Sequence, residues 1–483
     1  MKPEVNFFSR CAFITIIPVF LNIFFVFNIY GQTVDPAVFP IAVWLQQPSY
    51  SNAYRKAGIN LFVGNTLDAS SWNQIKFDKT KVLCTQNAFA LSHLDDTLIY
   101  GWIQMDEPDN AQWNEATQTY DPCIDPSVII ARYDSMKARD SYRPVYLNLG
   151  MGVAYTPWLG RGTCTGKTDM YPVYNNGYLK GCDIASFDIY PVNSPDGDVS
   201  GKLWYVAKGI DSLKKWTENK KPVWCWIETT LIDKSSPRKP TAAEVKAEVW
   251  MALIHGAKGF GYFCHSFYPY FDDAALFHDT VMFSAVTKIN QQIISLVPVL
   301  RTPDITGFAS VTSSNAAVPV DIMKKHYQGE NYIFAVAMRS GTTTATFTVD
   351  SGKLVEVLGE NRMIPVIDGK FMDNFSSYGV HLYKITSKEI NHESLKKEYI
   401  QRLYAYPNPC DDYVMIPLPE QISGNHALRI TNSLGIVVYP SWETANVNEM
   451  KISCWSLPEG QYFYHVFGDN RKIFSGTFRV IHR

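Results

Sequence analysis

Two glutamates stand where long apolar runs of the sequence stop. The run Leu98–Met105 is followed by Asp106 and Glu107, and the run Pro222–Ile227 is followed by Glu228. Two carboxyl groups in one pocket can cleave an acetal, because the protonated one supplies the leaving oxygen with a proton while the ionised one faces the cation that develops. Each negative charge raises the proton affinity of the other, so closeness itself creates an acid and a nucleophile. We therefore expect Glu107 and Glu228 to be catalytic residues.

The elements that would position these glutamates form a regular series. Eight short and nearly all apolar runs alternate with helical patterns between Phe39 and about Ile289, as parallel strands covered by helices do. The runs are Pro40–Leu45, Asn60–Val63, Lys81–Thr85, Leu98–Met105, Pro144–Leu149, Asp183–Ile189, Pro222–Ile227 and Gly259–Cys264.

Eight such units in about 250 residues predict an α/β fold, a closed (β/α)8 TIM barrel. The competing doubly wound sheet usually has a Gly-rich turn after its first strand, where this sequence has Trp44-Leu45-Gln46-Gln47-Pro48. In a barrel the strand ends meet at one mouth, so Glu107 after strand four and Glu228 after strand seven are expected to converge there.

Six of the strand ends also carry side chains that suit a sugar site, where flat apolar faces lie beside polar groups. We expect substrate contacts from Trp44, Gln46, Gln86, Asp106, Asn148, Tyr190 and His265. Asp188, which closes strand six, is a further candidate. No CxxC pair or Cys/His cluster has zinc spacing, so the sequence predicts no metal and no cofactor.

The pattern of Glu107 followed by Pro108 after strand four, with Glu228 after strand seven, resembles clan A of the retaining (β/α)8 glycoside hydrolases. The resemblance covers about residues 39–290. It implies that Glu107 is the acid/base, that Glu228 is the nucleophile, and that Tyr190 hydrogen-bonds the nucleophile. It also implies double displacement on a β-linked polysaccharide or oligosaccharide. The clan usually has Asn before its acid/base, where this chain has Asp106.

The remaining residues predict further segments. Lys2 and Arg10 precede an apolar run, Ala12–Phe27, that is shorter than the roughly 20 residues of a membrane span, so residues 1–32 are interpreted as a signal peptide. Residues 33–290 are the predicted barrel, 291–386 a small β-sandwich, 387–402 a charged linker and 403–483 a third, all-β domain. The formal net charge of −2 argues against nucleic-acid binding, and no apolar run after the signal predicts a membrane span in the mature chain.

The third domain carries several spaced motifs. They are Tyr406-Pro407-Asn408-Pro409, Ser433-Leu434-Gly435, Leu457-Pro458-Glu459-Gly460-Gln461-Tyr462 and the closing run Lys472–Val480. This succession resembles the C-terminal sorting domain of the type IX secretion system of Bacteroidetes. The resemblance implies the type IX secretion machinery as a partner and a secreted or cell-surface location. An ordinary accessory β-sandwich is the competing interpretation of this domain.

The sequence is also compatible with two different functions for the barrel. A degenerate barrel would make the chain a non-catalytic glycan-binding protein of the cell surface, and a transglycosidase would use the same two glutamates. Long segments after strands four to six carry aromatic residues that could stack on sugars, namely Trp113, Tyr155, Trp158, Tyr171 and Tyr174. Cys123 and Cys164 lie in loop-like stretches and could pair in an exported protein.

Overall fold

The computed structural model describes residues 39–158, 171–386, 405, 408–417, 426–446, 449–468 and 471–482. The predicted signal peptide, the predicted linker and Cys164 lie outside these residues. The described chain contains a barrel, a β-sandwich packed on it, and a C-terminal all-β domain.

Eight parallel strands close into the predicted barrel, and each strand pairs with the next along the chain until the eighth pairs with the first. The strands are β1 (Ile41–Trp44), β2 (Leu61–Asn65), β3 (Lys81–Cys84), β4 (Ile99–Ile103), β5 (Val145–Leu149), β6 (Ile184–Asp188), β7 (Val223–Glu228) and β8 (Gly259–Phe263). Every predicted run overlaps one of these strands, so the predicted (β/α)8 fold is confirmed.

Bulky side chains fill the barrel interior. Trp224 and Trp226 of β7 pack there with Tyr146 of β5, and the Trp226 indole N–H donates to the Tyr146 hydroxyl at 2.8 Å. The neighbouring strand β8 faces these indoles with Gly259 and Gly261, where any Cβ would collide with the rings. The interior is therefore a packed core, which leaves the strand ends at the mouth as the open part of the barrel.

Helices cover the outside of the barrel. They are α1 (Ser51–Lys56), α2 (Ala69–Asp78), α3 (Ala88–Leu91), α4 (Pro126–Arg139), α5 (Tyr171–Asn176), α6 (Trp204–Trp216), α7 (Ala242–Ile254), α8 (Ala275–His278) and α9 (Thr280–Leu300). Helix α7 begins with a capping box, in which Thr241 and Glu244 each satisfy a backbone N–H of the other. Helix α9 runs through residue 290, the predicted domain boundary, and ends at Leu300.

The second domain is the predicted sandwich of two antiparallel sheets. Its strands are β9 (Ala309–Ser313), β10 (Val320–Tyr327), β11 (Glu330–Ala337), β12 (Thr343–Val349), β13 (Leu354–Val357), β14 (Arg362–Pro365), β15 (Lys370–Phe375) and β16 (Val380–Thr386). Trp250 of α7 packs on Phe334 of β11, with ring centroids 5.3 Å apart, within one apolar core that continues from the barrel into the sandwich. The two domains therefore share part of their core.

The C-terminal domain also has two antiparallel sheets, with an apolar core of its own residues. Its strands are β17 (Tyr413–Pro417), β18 (His426–Asn432), β19 (Val437–Val438), β20 (Trp442–Asn446), β21 (Glu449–Ser453), β22 (Gly460–Gly468) and β23 (Arg471–Val480). In the part of the chain that the structure describes, every helix is too short or too polar to cross a membrane.

Candidate active site

The turn after β4 holds Glu107 in a strained conformation. Its φ of 39° lies in the left-handed region that non-glycine residues rarely occupy. Its N–H donates to the Asn148 carbonyl at 3.0 Å, while its own carbonyl accepts from Asn110 N–H at 3.0 Å and from Gln112 Nε2 at 3.1 Å. Backbone strain of this kind is found at functional sites, where surrounding contacts hold it in place.

Side chains from three strand ends converge beside this turn. The carboxyl groups of Glu107 and Asp188 lie close enough to share a hydrogen bond when one of them is protonated. Asn148 Nδ2 donates to Asp106 Oδ1 at 3.1 Å and lies 3.4 Å from Asp188 Oδ2, and the Tyr190 hydroxyl donates to Asp188 Oδ2 at 3.3 Å. We call these five residues, Asp106, Glu107, Asn148, Asp188 and Tyr190, the mouth cluster.

Two aspartates of the mouth cluster, Asp106 and Asp188, hold protons that isolated carboxyl groups would release. Desolvation raises the pKa of Asp188 well above its ordinary value, and the charges of Glu107 and Asp106 raise it further. Asp106 is open to the mouth, yet desolvation by the surrounding protein, with the charge of Glu107, raises its pKa to about 7. An acid of this kind is protonated near neutral pH and can donate to a leaving group.

Asp109 is a buried residue of the same turn, next to the mouth cluster in sequence. Burial raises its pKa to about 7, although Gly150 N–H donates to both of its oxygens, at 2.9 and 3.1 Å, and the Tyr174 hydroxyl donates to Oδ2 at 2.8 Å. These contacts tie the turn after β4 to the segment after β5. Sequence reasoning missed Asp109, because nothing in the sequence distinguishes it from a solvated turn residue.

Glu228 lies in a different environment from the one predicted. It is fully buried, and its carboxylate accepts from Val192 N–H at 2.6 Å, from Asn193 N–H at 2.8 Å and from Asn193 Nδ2 at 2.5 Å. It lies close enough to the carboxyl of Glu248, a buried residue of α7, for the two groups to share one proton, and the Glu248 oxygens have no other hydrogen-bond partner among the described residues. We call Glu228 and Glu248 the sealed pair.

Burial raises the pKa of Glu228 to about 7 and that of Glu248 well above its ordinary value, so the sealed pair also retains a proton. The structure thus pairs the carboxyl of Glu107 with that of Asp188 and the carboxyl of Glu228 with that of Glu248, two pairings that a position at a strand end does not predict. The physical reason is that a position at a strand end fixes where a Cα lies, while the amides of the Val192–Asn193 loop decide where the Glu228 carboxylate goes.

Three predicted binding residues serve the barrel itself. Trp44 is buried in the interior. Gln46 Nε2 donates to the Trp44 carbonyl at 3.1 Å, and its Oε1 accepts from the Tyr54 hydroxyl at 2.6 Å. Gln86 Nε2 donates to the Met136 carbonyl at 3.1 Å. The structure uses these side chains to fix the ends of β1 and β3.

The remaining predicted residues are distributed as follows. His265 is buried beside the Phe263 ring, and burial lowers its pKa. Of the aromatic residues expected to stack on sugars, Trp113 is exposed, whereas Tyr155 and Tyr174 are buried. Among the described residues, no group of three or more His, Cys, Asp or Glu side chains is arranged to hold a metal ion.

Comparisons with known proteins concern the fold and the C-terminal domain. The chain is similar to a family 39 glycoside hydrolase from Bacteroides cellulosilyticus (TM-score 0.43, 13% identity, 74% of this chain and 83% of the other). It is also similar to a GH30 endoxylanase from Clostridium papyrosolvens (TM-score 0.41, 11% identity, 74% of this chain and 97% of the other). A third similar structure is an α-amylase from Geobacillus thermoleovorans (TM-score 0.38, 10% identity, 74% of this chain and 100% of the other). No curated protein sequence matches the chain.

Residues 404–477 match the family described as the secretion system C-terminal sorting domain. This match confirms the sorting domain predicted from the spaced motifs of the third domain. The chain therefore ends in a secretion sorting domain, and the protein is secreted or displayed at the cell surface.

Proposed function

We propose that this chain is a retaining glycoside hydrolase that cleaves a β-linked polysaccharide or oligosaccharide at the mouth of its barrel. The observation that carries the proposal is the hydrogen-bonded carboxyl pair of Glu107 and Asp188, which come from separate strand ends and reach solvent through the mouth. Such a pair holds one proton and one negative charge, which are the two things that glycoside cleavage requires.

The roles follow from the pair and from the sequence motif. Glu107, in the clan-like position before Pro108, is the acid/base: it takes up the proton that Asp188 holds, through the hydrogen bond between the two carboxyl groups, and passes it to the leaving oxygen. Asp188 then remains as the carboxylate that attacks the anomeric carbon, and water later releases the sugar with Glu107 acting as base. Retaining enzymes hold their carboxyl groups about 5 Å apart, so the hydrogen-bonded pair separates as the sugar ring enters. Asn148 and Tyr190 hold Asp188 in place.

A panel of β-linked polysaccharides and aryl glycosides tests this function. We expect hydrolysis whose first product, observed by proton NMR, has the same anomeric configuration as the substrate. Glu107→Gln is expected to lower kcat by about 100-fold or more, since it removes the acid, whereas Glu115→Gln, an exposed control in the same segment, retains activity. An inverted first product contradicts double displacement, and a panel left intact contradicts the enzyme and favours a glycan-binding protein.

A further inference from the structure

Aromatic side chains rise on opposite sides of the mouth, and we propose that they hold a long glycan chain that is cut internally. This inference rests on the proposed function and adds to it the length of the substrate and the mode of attack. Strands β4 and β8 are four places apart in a ring of eight, so the segments that follow them face each other across the mouth. Glu107 follows β4 and Asp188 ends β6, which lies between β4 and β8 in the ring.

The β4 side carries a two-stranded hairpin formed by Gln112–Asn114 and Thr119–Asp121. The Trp113 and Tyr120 rings pack edge to face at its surface, with centroids 5.1 Å apart, and the Trp113 side chain is 47% exposed. Gln112 Nε2 ties the base of the hairpin to the Glu107 carbonyl. The exposed indole is therefore held at a fixed offset from the proposed acid.

The β8 side carries a continuous row of rings that starts at the mouth cluster. Tyr190, which bonds Asp188, lies 5.1 Å from Phe263, and Phe263 lies 5.2 Å from His265, measured between ring centroids. His265 lies 5.7 Å from Phe271, and Phe271 lies 5.3 Å from Phe267. Phe267 and Phe271 are 52% and 61% exposed. The row thus leads from the carboxyl pair to solvent.

The exposed end of this row is rigid. Ser266 and Asp272 exchange backbone hydrogen bonds of 2.9 and 2.8 Å, which closes the intervening residues into a tip. Phe267 N–H donates to the Ile232 carbonyl at 2.6 Å, and Ser266 Oγ donates to the Leu231 carbonyl at 2.7 Å, so the tip is fastened to the segment after β7.

A rigid tip that exposes several aromatic rings marks a binding surface, and its continuity with the carboxyl pair indicates that the ligand is the substrate itself. Pyranose rings have apolar faces that stack on aromatic side chains. When sugar rings stack on aromatic side chains on both sides of the scissile bond, an internal stretch of the glycan chain lies at the carboxyl pair, and not a chain end.

The size distribution of products tests internal cleavage. The wild-type protein is expected to release products of many intermediate lengths from an end-labelled polysaccharide in its first turnovers. Trp113→Ala and Phe271→Ala are each expected to lower kcat/KM on the polysaccharide by about tenfold, the scale of one lost stacking contact, and to leave hydrolysis of an aryl monosaccharide glycoside within about twofold. Phe77→Ala, which removes an 82% exposed ring from α2, is the matched control and changes neither.

The outcomes separate this inference from the function on which it rests. Products of one short length from the earliest turnovers overturn internal cleavage and leave a glycosidase that acts from chain ends. Polysaccharide kinetics unchanged in Trp113→Ala or in Phe271→Ala overturn the role of that side of the mouth. Failure of the wild-type protein to hydrolyse either substrate overturns the proposed function itself.

A separate observation concerns the sorting domain, where we infer that Cys410 and Cys454 form a disulfide in the exported chain. The two sulfur atoms are 3.2 Å apart, and both side chains are buried in the core of that domain. Cys410 is fixed by backbone hydrogen bonds with Arg479 and Ile481, and Cys454 N–H donates to the Asp412 carbonyl. An exported chain passes through an oxidising compartment, where such pairs form and persist.

In the reaction each thiol gives up its proton, a sulfur–sulfur bond forms, and two electrons pass to the disulfide of an envelope thiol–disulfide oxidoreductase, which becomes a dithiol. Alkylation of the unfolded full-length chain, recovered from a bacterial periplasm, tests this. We expect Cys410 and Cys454 to be alkylated only after reduction, whereas Cys225, buried singly in the barrel, is alkylated without it. Alkylation of both residues without reduction overturns the disulfide.

Discussion

The mouth cluster and the sealed pair each bring a carboxyl group at the end of a barrel strand close to a second carboxyl group, and they differ in their surroundings. Glu107 and Asp188 reach solvent and lie beside Asn148 and Tyr190. Glu228 is fully buried, and its partners are backbone amides and Glu248. A carboxylate saturated by buried donors stabilises a loop, whereas one that faces solvent and shares its proton with a neighbour is available to a substrate. A strand-end carboxylate is therefore a candidate whose direction has to be established.

The largest expected difference between the two regions is in catalysis. Asp188→Asn is expected to lower kcat by about 1,000-fold, because it removes the attacking carboxylate, and Glu228→Gln by less than about tenfold. Added azide is expected to rescue Asp188→Ala and to give a glycosyl azide of inverted configuration. If azide instead rescues Glu228→Ala, and the melting temperature of that variant is unchanged, then Glu228 is the nucleophile and the contrast between the two regions is wrong.

The next largest effect is on stability, and here the larger loss is expected from the sealed pair. Glu228→Ala leaves the amides of Val192 and Asn193 and the Asn193 side chain without their acceptor. We expect the free energy of unfolding to fall by about 3 kcal/mol, since each buried donor without a partner costs about 1 kcal/mol or more. Urea denaturation measures this, with Glu115→Ala as the exposed control. A loss below about 0.5 kcal/mol is the size expected of a surface substitution. It would contradict the burial of Glu228 and its hydrogen bonds with buried donors.

The pH dependence of stability sharpens the comparison further. Burial raises the folded pKa of Glu228 to about 7 and that of Glu248 well above its ordinary value, so the folded state holds protons that the unfolded state releases. The contribution of the pair is greatest below the unfolded pKa of about 4.3 and is lost as the pH rises through about 7. Glu248→Gln keeps a donor for Glu228 and is expected to flatten the fall of melting temperature from about pH 5 to pH 8. An unchanged slope contradicts the shared proton.

The smallest effect comes from His255, at the end of α7, and it also falls as the pH rises. Burial alone lowers its pKa, but hydrogen bonds from Nδ1 to Asp211 (2.9 Å) and from Nε2 to Asp321 (3.2 Å) outweigh burial and raise the pKa to about 9. This stabilisation is complete below the unfolded pKa of about 6.5 and is lost as the pH rises through about 9. His255→Gln is expected to lower stability by about 1 kcal/mol at pH 6 and negligibly at pH 10, as measured by urea denaturation at both values. Equal losses at the two values contradict an ionic contact between barrel and sandwich.

Periodicity and composition are enough to predict the barrel, because a closed ring of strands is the simplest way to bury eight apolar runs. The strand-end rule also predicts Glu107, Asp106, Asn148 and Tyr190 as site residues, and the structure groups them. The grouping depends on Asp188 as well, which follows the same strand-end rule, although the sequence motif favours Glu228 as the second catalytic carboxylate.

The remainder of the site depends on contacts that no local pattern encodes. The Glu228 carboxylate turns toward the Val192–Asn193 loop, whose amides donate to it, and Glu248 meets it from the covering helix. Gln46 and Gln86 are likewise engaged by carbonyls and hydroxyls of the folded chain. Side-chain direction at a strand end is a tertiary property, and single-sequence reasoning does not reach it.

The division of apolar cores has a consequence for how the chain is matured. One core runs through barrel and sandwich, while the sorting domain keeps a core made only of its own residues. A protease that cuts between Thr386 and Ala405 would divide neither core and would expose none of the side chains packed within them. Removal of the sorting domain would therefore leave the apolar core of the barrel and sandwich whole, whereas a cut within the sandwich would open the surface against which Trp250 packs.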